Sequence, residues 1–172
     1  AGATALATAG SPPRRQAARL AGAAGATSSR DTSFTDALGP PYAPVATAAG
    51  RGPVDALINS LTSPGMVAAS MACLSAGGRF TEIAKRGVWS PGRAAQERPD
   101  VAFSVIAIDL LPRPILSGAL GRVGALAAGG SAAPLPATIY PLARARAAMW
   151  AMAHTPAVGK VVLEVGRGGG PA

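Results

Sequence analysis

Aromatic side chains are almost missing: Phe, Trp and Tyr make up 4% of a 172-residue chain that is 49% hydrophobic. Any core must therefore be assembled mostly from Ala, Val, Leu and Ile. A single cysteine excludes an internal disulfide. That cysteine and one histidine cannot supply the clustered ligands that structural or catalytic zinc needs, so no metal site is expected. No run reaches the roughly 18–20 apolar residues needed to cross a bilayer, and the Ala-Gly start lacks the charged-then-apolar layout of a secretory signal. A cytoplasmic location, away from membranes, is the expectation. Acidic residues are also few, 8 against 16 basic ones. A net charge of +8 raises nucleic acid as a partner. The arginines, however, are scattered through patterned elements, aromatics do not interleave with them, and no nucleic-acid motif is present, so no nucleic-acid partner is expected.

What is present is organised around residues 54–85, VDALINSLTSPGMVAASMACLSAGGRFTEIAK. Residues 54–61 are short, mostly apolar and bounded by turn residues, the pattern of a strand buried on both faces. Ser63 is placed to cap a helix with Pro64 at its first position. Val67, Met71 and Leu74 fall on one helical stripe, and Gly77-Gly78 supply a left-handed stop. Residues 79–84 have the length of a second strand. The unit is βαβ, which requires parallel strands and places ligands at their carboxyl ends, here Asn59-Ser60-Leu61 and Ala84-Lys85.

Upstream, residues 3–8 predict a strand that Gly10-Ser11-Pro12-Pro13 turns into a helix from about Arg14 to Ala24, with Ala17 and Leu20 facing inward. Arg14 and Arg15 open that helix, where cations oppose the helix dipole unless a phosphate lands there. In a dinucleotide fold this position meets the adenosine ribose, and arginine there accommodates the 2′-phosphate of NADP. NADPH is thereby favoured over NADH. Residues 23–27 predict a weak strand, and Asp31-Thr32 an N-cap for a short helix over residues 33–38. Residues 39–53 have no periodicity. Downstream, residues 86–100 predict a loop with one helical turn, and residues 101–109 a strong strand ending in Asp109. A helix through Leu116, Leu120 and Val123 follows, then a strand over 137–140, a helix over 142–153 and a last strand over 161–165. His154 and Cys73 are expected to be structural.

The words NSLTSPGMVAAS and GGRFTEIAKR closely resemble the enoyl reductase domain of modular polyketide synthases and animal-type fatty acid synthases, within the zinc-free branch of the medium-chain dehydrogenase/reductase superfamily. The likeness runs from residue 5 to residue 165. It implies an α/β fold, a Rossmann-like parallel sheet with helices on both faces. Residues 1–165 would be a partial nucleotide-binding domain lacking the first strand and glycine-rich loop, and residues 166–172 a disordered tail.

The resemblance also implies roles. Thr8, Gly10, Ser11, Arg14 and Arg15 match the motif whose Ser and basic pair hold the 2′-phosphate, with Arg14 for the usual Lys. Arg30 lies in a second matching word and is a further candidate for that phosphate. Asn59 and Ser60 would touch the cofactor near the nicotinamide, and Lys160 would approach a cofactor phosphate. Lys85 and Asp109, each at a strand end, would supply or position the proton that completes reduction of an enoyl thioester. Ala84 stands where the family has Gly, Gly87 where it has Asp, and Ala157 where many members carry His. The implied partners are an acyl-carrier-bound enoyl thioester, the remaining half of the reductase domain, other synthase domains and, as a further case, a second copy of the chain. A freestanding quinone or alkene reductase of the same branch and a catalytically inactive structural remnant are the alternatives.

Overall fold

The computed structural model describes residues 2–37, 53–155 and 158–166. The expected unpatterned segment over 39–53 and the tail beyond residue 166 fall almost wholly outside those residues, as does Ala157. Elements alternate strand and helix: β1 (Leu6–Ala9), α1 (Pro12–Leu20), β2 (Gly25–Ser28), α2 (Phe34–Ala37), β3 (Val54–Asn59), α3 (Met66–Ala72), β4 (Leu74–Glu82), α4 (Pro91–Glu97) and β5 (Ala102–Val105). After these come α5 (Arg113–Ala128), β6 (Ala137–Pro141), α6 (Ala145–His154) and β7 (Lys160–Glu164). Among the described residues every pairing is parallel, in three sheets ordered β1-β2, β3-β4-β5 and β6-β7. The α/β, Rossmann-like class expected from the sequence is the one observed.

The first two sheets share a core. Leu6 of β1 and Val54 and Leu57 of β3 pack around Phe34, Met66 and Cys73. Val67, Met71, Leu74, Phe80 and Ala94 form a second cluster, against which Val54 and Leu57 also pack, with Phe80 stacked on Phe103 at 5.4 Å between centroids. Arg98, at the end of α4, closes this cluster. Its guanidinium donates to the carbonyls of Met71, Leu74 and Ser75 at 2.7–3.3 Å and to both oxygens of Asp100 at 2.9 Å.

Several local expectations are corrected. Ser63-Pro64-Gly65-Met66 is a reverse turn closed by Met66 N–H donating to the Ser63 carbonyl at 3.0 Å, with Gly65 at φ +81°, so α3 starts at Met66 and Pro64 lies outside it. Pro followed by Gly suits the two central positions of a type II turn, and that preference wins over a helix start. Leu74 belongs to β4 and not to the helical stripe. Gly77 and Gly78 lie within β4, where the register to β3 shifts between Val54↔Leu74 and Ala56↔Arg79. The extra residues on β4 bulge out, with Gly77 at φ +72° and Gly78 so close to the Ser75 and Asp55 carbonyls that a side chain would crowd them. β3 is open on one face, with Ile58 75% exposed, and α1 ends at Leu20, which is 83% exposed and faces outward. β5 stops at Val105, and Asp109 sits in a 3₁₀ turn over Ile108–Leu110.

Candidate functional site at the strand tips

Three groups of polar side chains gather beyond the carboxyl ends of β1, β3, β4 and β5. The first surrounds Gly10 and Ser11. Ser11 occupies the N-cap of α1 with extended backbone, yet its hydroxyl makes no capping bond and is buried without a partner. Arg15 donates to the Ala9 carbonyl at 3.1 Å, and Arg30, from the turn after β2, donates to the Gly10 carbonyl at 3.4 Å. The Arg30 guanidinium lies where a Cβ on residue 10 would be, so a side chain there would push it aside. An unsatisfied hydroxyl at the N-cap of α1, with two guanidinium groups held on the carbonyls of the two preceding residues, suits a phosphate. Arg14 is exposed on the same first turn. Asp31, by contrast, accepts from the backbone N–H and hydroxyl of Ser33, which holds its carboxyl below the usual range and ties it to the turn.

The second group lies under the tips of β3 and β4. Asn59, Ser70 and Glu82 are all buried. Asn59 Nδ2 donates to Glu82 Oε2 at 2.7 Å and to the Leu61 carbonyl at 3.2 Å, and its Oδ1 accepts from Leu61 N–H at 3.2 Å and Ser70 Oγ at 3.4 Å. Glu82 Oε1 accepts from Ala84 N–H at 2.8 Å. The Asn59 side chain is thus engaged within the protein, while Ser60, next to it, is exposed. Glu82 carries no assignment from the sequence. Its signal was the period of two in β4, which puts Gly78, Phe80 and Glu82 on the buried face and so sends a carboxylate inward.

The third group joins the loops after β4 and β5. Lys85 Nζ donates to Asp109 Oδ2 at 2.8 Å across the protein surface. That bond, aided by backbone donation at Asp109, holds the Asp109 carboxyl below its ordinary value. In the loop carrying Lys85, Gly87 has φ +66°, and a Cβ there would lie 3.1 Å from the Thr62 carbonyl oxygen, so a side chain at residue 87 would be strained. Glycine in place of the family's Asp fits this close approach. Lys160 opens β7 in the separate β6-β7 sheet, and Gly159 before it leaves room for the Pro136 carbonyl. The structure therefore brings together Ser11, Arg15 and Arg30, and separately Lys85 and Asp109; Lys160 stands in a different sheet from both.

The chain matches the family described as zinc-binding dehydrogenase over residues 21–163. It belongs to that family. Among its relatives is a mycocerosic acid synthase-like polyketide synthase of Mycolicibacterium smegmatis, 35% identical over 96% of this chain and 8% of that protein. Among solved structures, the CurK enoyl reductase superposes with a TM-score of 0.73 at 29% identity, covering 95% of this chain and 48% of that one. The nucleotide-binding subdomain of the enoylreductase domain of PpsC from Mycobacterium tuberculosis gives 0.55 at 26% identity, over 73% of this chain and 68% of that one. The resemblance to polyketide synthase enoyl reductases is thus shown, and the chain spans less than half of the CurK reductase and a small part of the synthase.

Zinc figures in the family's description, but the donors here do not fit it. Among the described residues no three His, Cys, Asp or Glu side chains come together, and Cys73 is buried with its thiol pushed up to about 11. Among the described residues, too, no helix is long and apolar enough to cross a membrane.

Proposed function

We propose that the chain forms the cofactor-binding part of an NADPH-dependent enoyl reductase domain in a polyketide synthase, reducing the α,β-double bond of an enoyl thioester held on an acyl carrier. The observation that carries this reading is the Lys85–Asp109 pair, set beyond the β4 and β5 ends where an α/β sheet presents its ligand. NADPH, when bound, supplies hydride to the β-carbon. The electron pair of the double bond then moves toward the thioester oxygen, and the α-carbon of the resulting enolate takes a proton. One N–H of the Lys85 ammonium is committed to Asp109, and with the side chain 67% exposed the other two remain available to steady the enolate oxygen or deliver the proton. Asp109 keeps that ammonium aimed.

Ser11, Arg15 and Arg30 are assigned to the 2′-phosphate of the cofactor, with Arg14 on the same turn. Ser60, beside the buried Asn59, is assigned to the nicotinamide end, and Lys160 is kept as a further phosphate contact. The remaining part of the reductase domain, the other synthase domains and the carrier-bound thioester are the partners this reading requires.

The test uses a complete reductase domain carrying this sequence. Lys85→Ala and Asp109→Ala are each expected to lower enoyl-thioester turnover by about 10²-fold, the scale of a positioned proton donor, with the melting temperature unchanged. Arg15→Ala with Arg30→Ala is expected to weaken NADPH far more than NADH. Unchanged turnover removes Lys85 and Asp109 from the mechanism, and equal loss for both cofactors defeats the 2′-phosphate assignment.

A further inference from the structure

Glu82 is a buried carboxylate whose hydrogen bonds come from neutral N–H groups: Asn59 Nδ2 on one oxygen and Ala84 N–H on the other. Burying a carboxylate on such terms is expensive unless both oxygens are well satisfied. Here the two bonds reach the two loops that hold the candidate site. Through Asn59, whose carboxamide grips both the N–H and the carbonyl of Leu61, Glu82 fixes the turn that presents Ser60. Through Ala84 N–H it fixes the backbone one residue before Lys85.

We infer that Glu82 is a positioning residue, which sets Ser60 and Lys85 at the strand tips through a carboxylate–carboxamide lock with Asn59. This rests on the enoyl reductase reading for the roles of Ser60 and Lys85, but the lock itself is geometric. Its chemistry requires a carboxylate. Both oxygens accept, and glutamine at residue 82 would turn an NH₂ group toward either Ala84 N–H or Asn59 Nδ2, donor against donor. Its logic also predicts an exchange. With Asn59→Asp and Glu82→Gln together, the new amide donates to the new carboxylate and still accepts from Ala84 N–H. The carboxylate keeps the Leu61 N–H and Ser70 bonds, and only the Leu61 carbonyl loses its donor.

The experiment compares Glu82→Gln, Asn59→Asp and the double variant in a complete reductase domain. It measures kcat and KM for the enoyl thioester and follows the Asp109 carboxyl titration by NMR. Expected are a fall in kcat of about 10-fold or more for each single variant and recovery to within about 3-fold in the double. In Glu82→Gln the Asp109 titration should move up toward the ordinary carboxylate value, because Lys85 is no longer held against it. A purely structural role would lower the melting temperature without moving that titration. Should Glu82→Gln not fold, Glu82→Asp, which keeps charge and both acceptors but withdraws them by one carbon, is measured the same way. An Asp109 titration that stays depressed, or a double variant no better than the singles, overturns the inference. If Lys85→Ala leaves turnover intact while Glu82→Gln still moves the Asp109 titration, the lock stands and the reductase assignment falls.

Discussion

Lys85 and Asp109 are 24 residues apart in sequence and 2.8 Å apart in space, on two loops that leave neighbouring parallel strands. The contact follows from the sheet order. β4 and β5 pair from Arg79↔Ala102 to Glu82↔Val105, so the chain emerges from both at the same edge, and residues a few positions on must share that surface. Both side chains are more than half exposed, so the pair adds little to stability. Its consequence is protonation. The Asp109 carboxyl sits below 3.8 mainly because Lys85 donates to it. The interaction is therefore intact above the ordinary carboxylate range and lost as pH falls through the depressed value. Lys85→Ala should move the Asp109 titration, followed by NMR, back up toward 3.8. An unmoved midpoint would mean that the pair does not persist in solution.

Arg98 supports a second prediction. Its guanidinium, with a side chain 16% exposed, satisfies carbonyls at the end of α3 and the start of β4 while Asp100 holds it in plane. Arg98 thus ties the last turn of α3 to the start of β4. Arg98→Ala removes all of these bonds at once and leaves Asp100 without its guanidinium, which should cost about 2–3 kcal/mol. Arg98→Lys, with a point charge in place of the planar fork, should recover less than half of that. Urea unfolding of the two variants measures both values.

Much of the fold was legible because apolar strand cores and turn residues leave a periodic trace. The βαβ order and the helical stretch within residues 86–100 stand where the pattern puts them; the Ser90 hydroxyl, which accepts from Arg93 N–H, caps that helix in the structure. The failures have local causes. Ser-Pro-Gly can open a helix or close a turn, and the left-handed Gly65 selects the turn. Gly77-Gly78 can stop a helix or bulge a strand, and only the register against β3 shows which. Leu20 was expected inside on helical spacing, but α1 is one short helix on a two-stranded sheet, with little surface to cover it. At the site, Lys85 and Asp109 could each be picked out as a strand-end residue, whereas their contact needs the sheet order. Glu82 carries no such mark, because a lone acidic residue in a strand resembles a solvent-facing one until its neighbours' burial is known.

Gly159 makes a sharper local demand. It has φ +97°, and a Cβ built on it falls on the Pro136 carbonyl oxygen, the acceptor that Lys160 N–H uses at 2.8 Å to start the β6-β7 pairing. Gly159→Ala must therefore distort the first rung of that ladder, beyond the roughly 1–3 kcal/mol of backbone strain alone. Hydrogen exchange should show loss of protection for amides in β6 and β7, with β3, β4 and β5 unchanged. Uniform loss across all strands would mean that the sheets unfold as one unit.

Cys73 yields the last prediction. It caps the end of α3 at 3% exposure, in the cluster with Phe34 and Met66, and burial alone pushes its thiol from 9.0 up to about 11. The thiolate is the reactive form, so at pH 8 the folded protein should resist thiol reagents, with labelling limited by unfolding. The sign of the pH effect follows. The folded state favours the neutral thiol, so stability is fully present below 9.0 and declines as pH rises toward about 11, when the unfolded chain ionises first. The decline attributable to this group is on the order of 2 kcal/mol. Cys73→Ala should flatten that alkaline limb in unfolding curves collected from pH 8 to 11, and a limb of unchanged slope would place the thiol in contact with solvent.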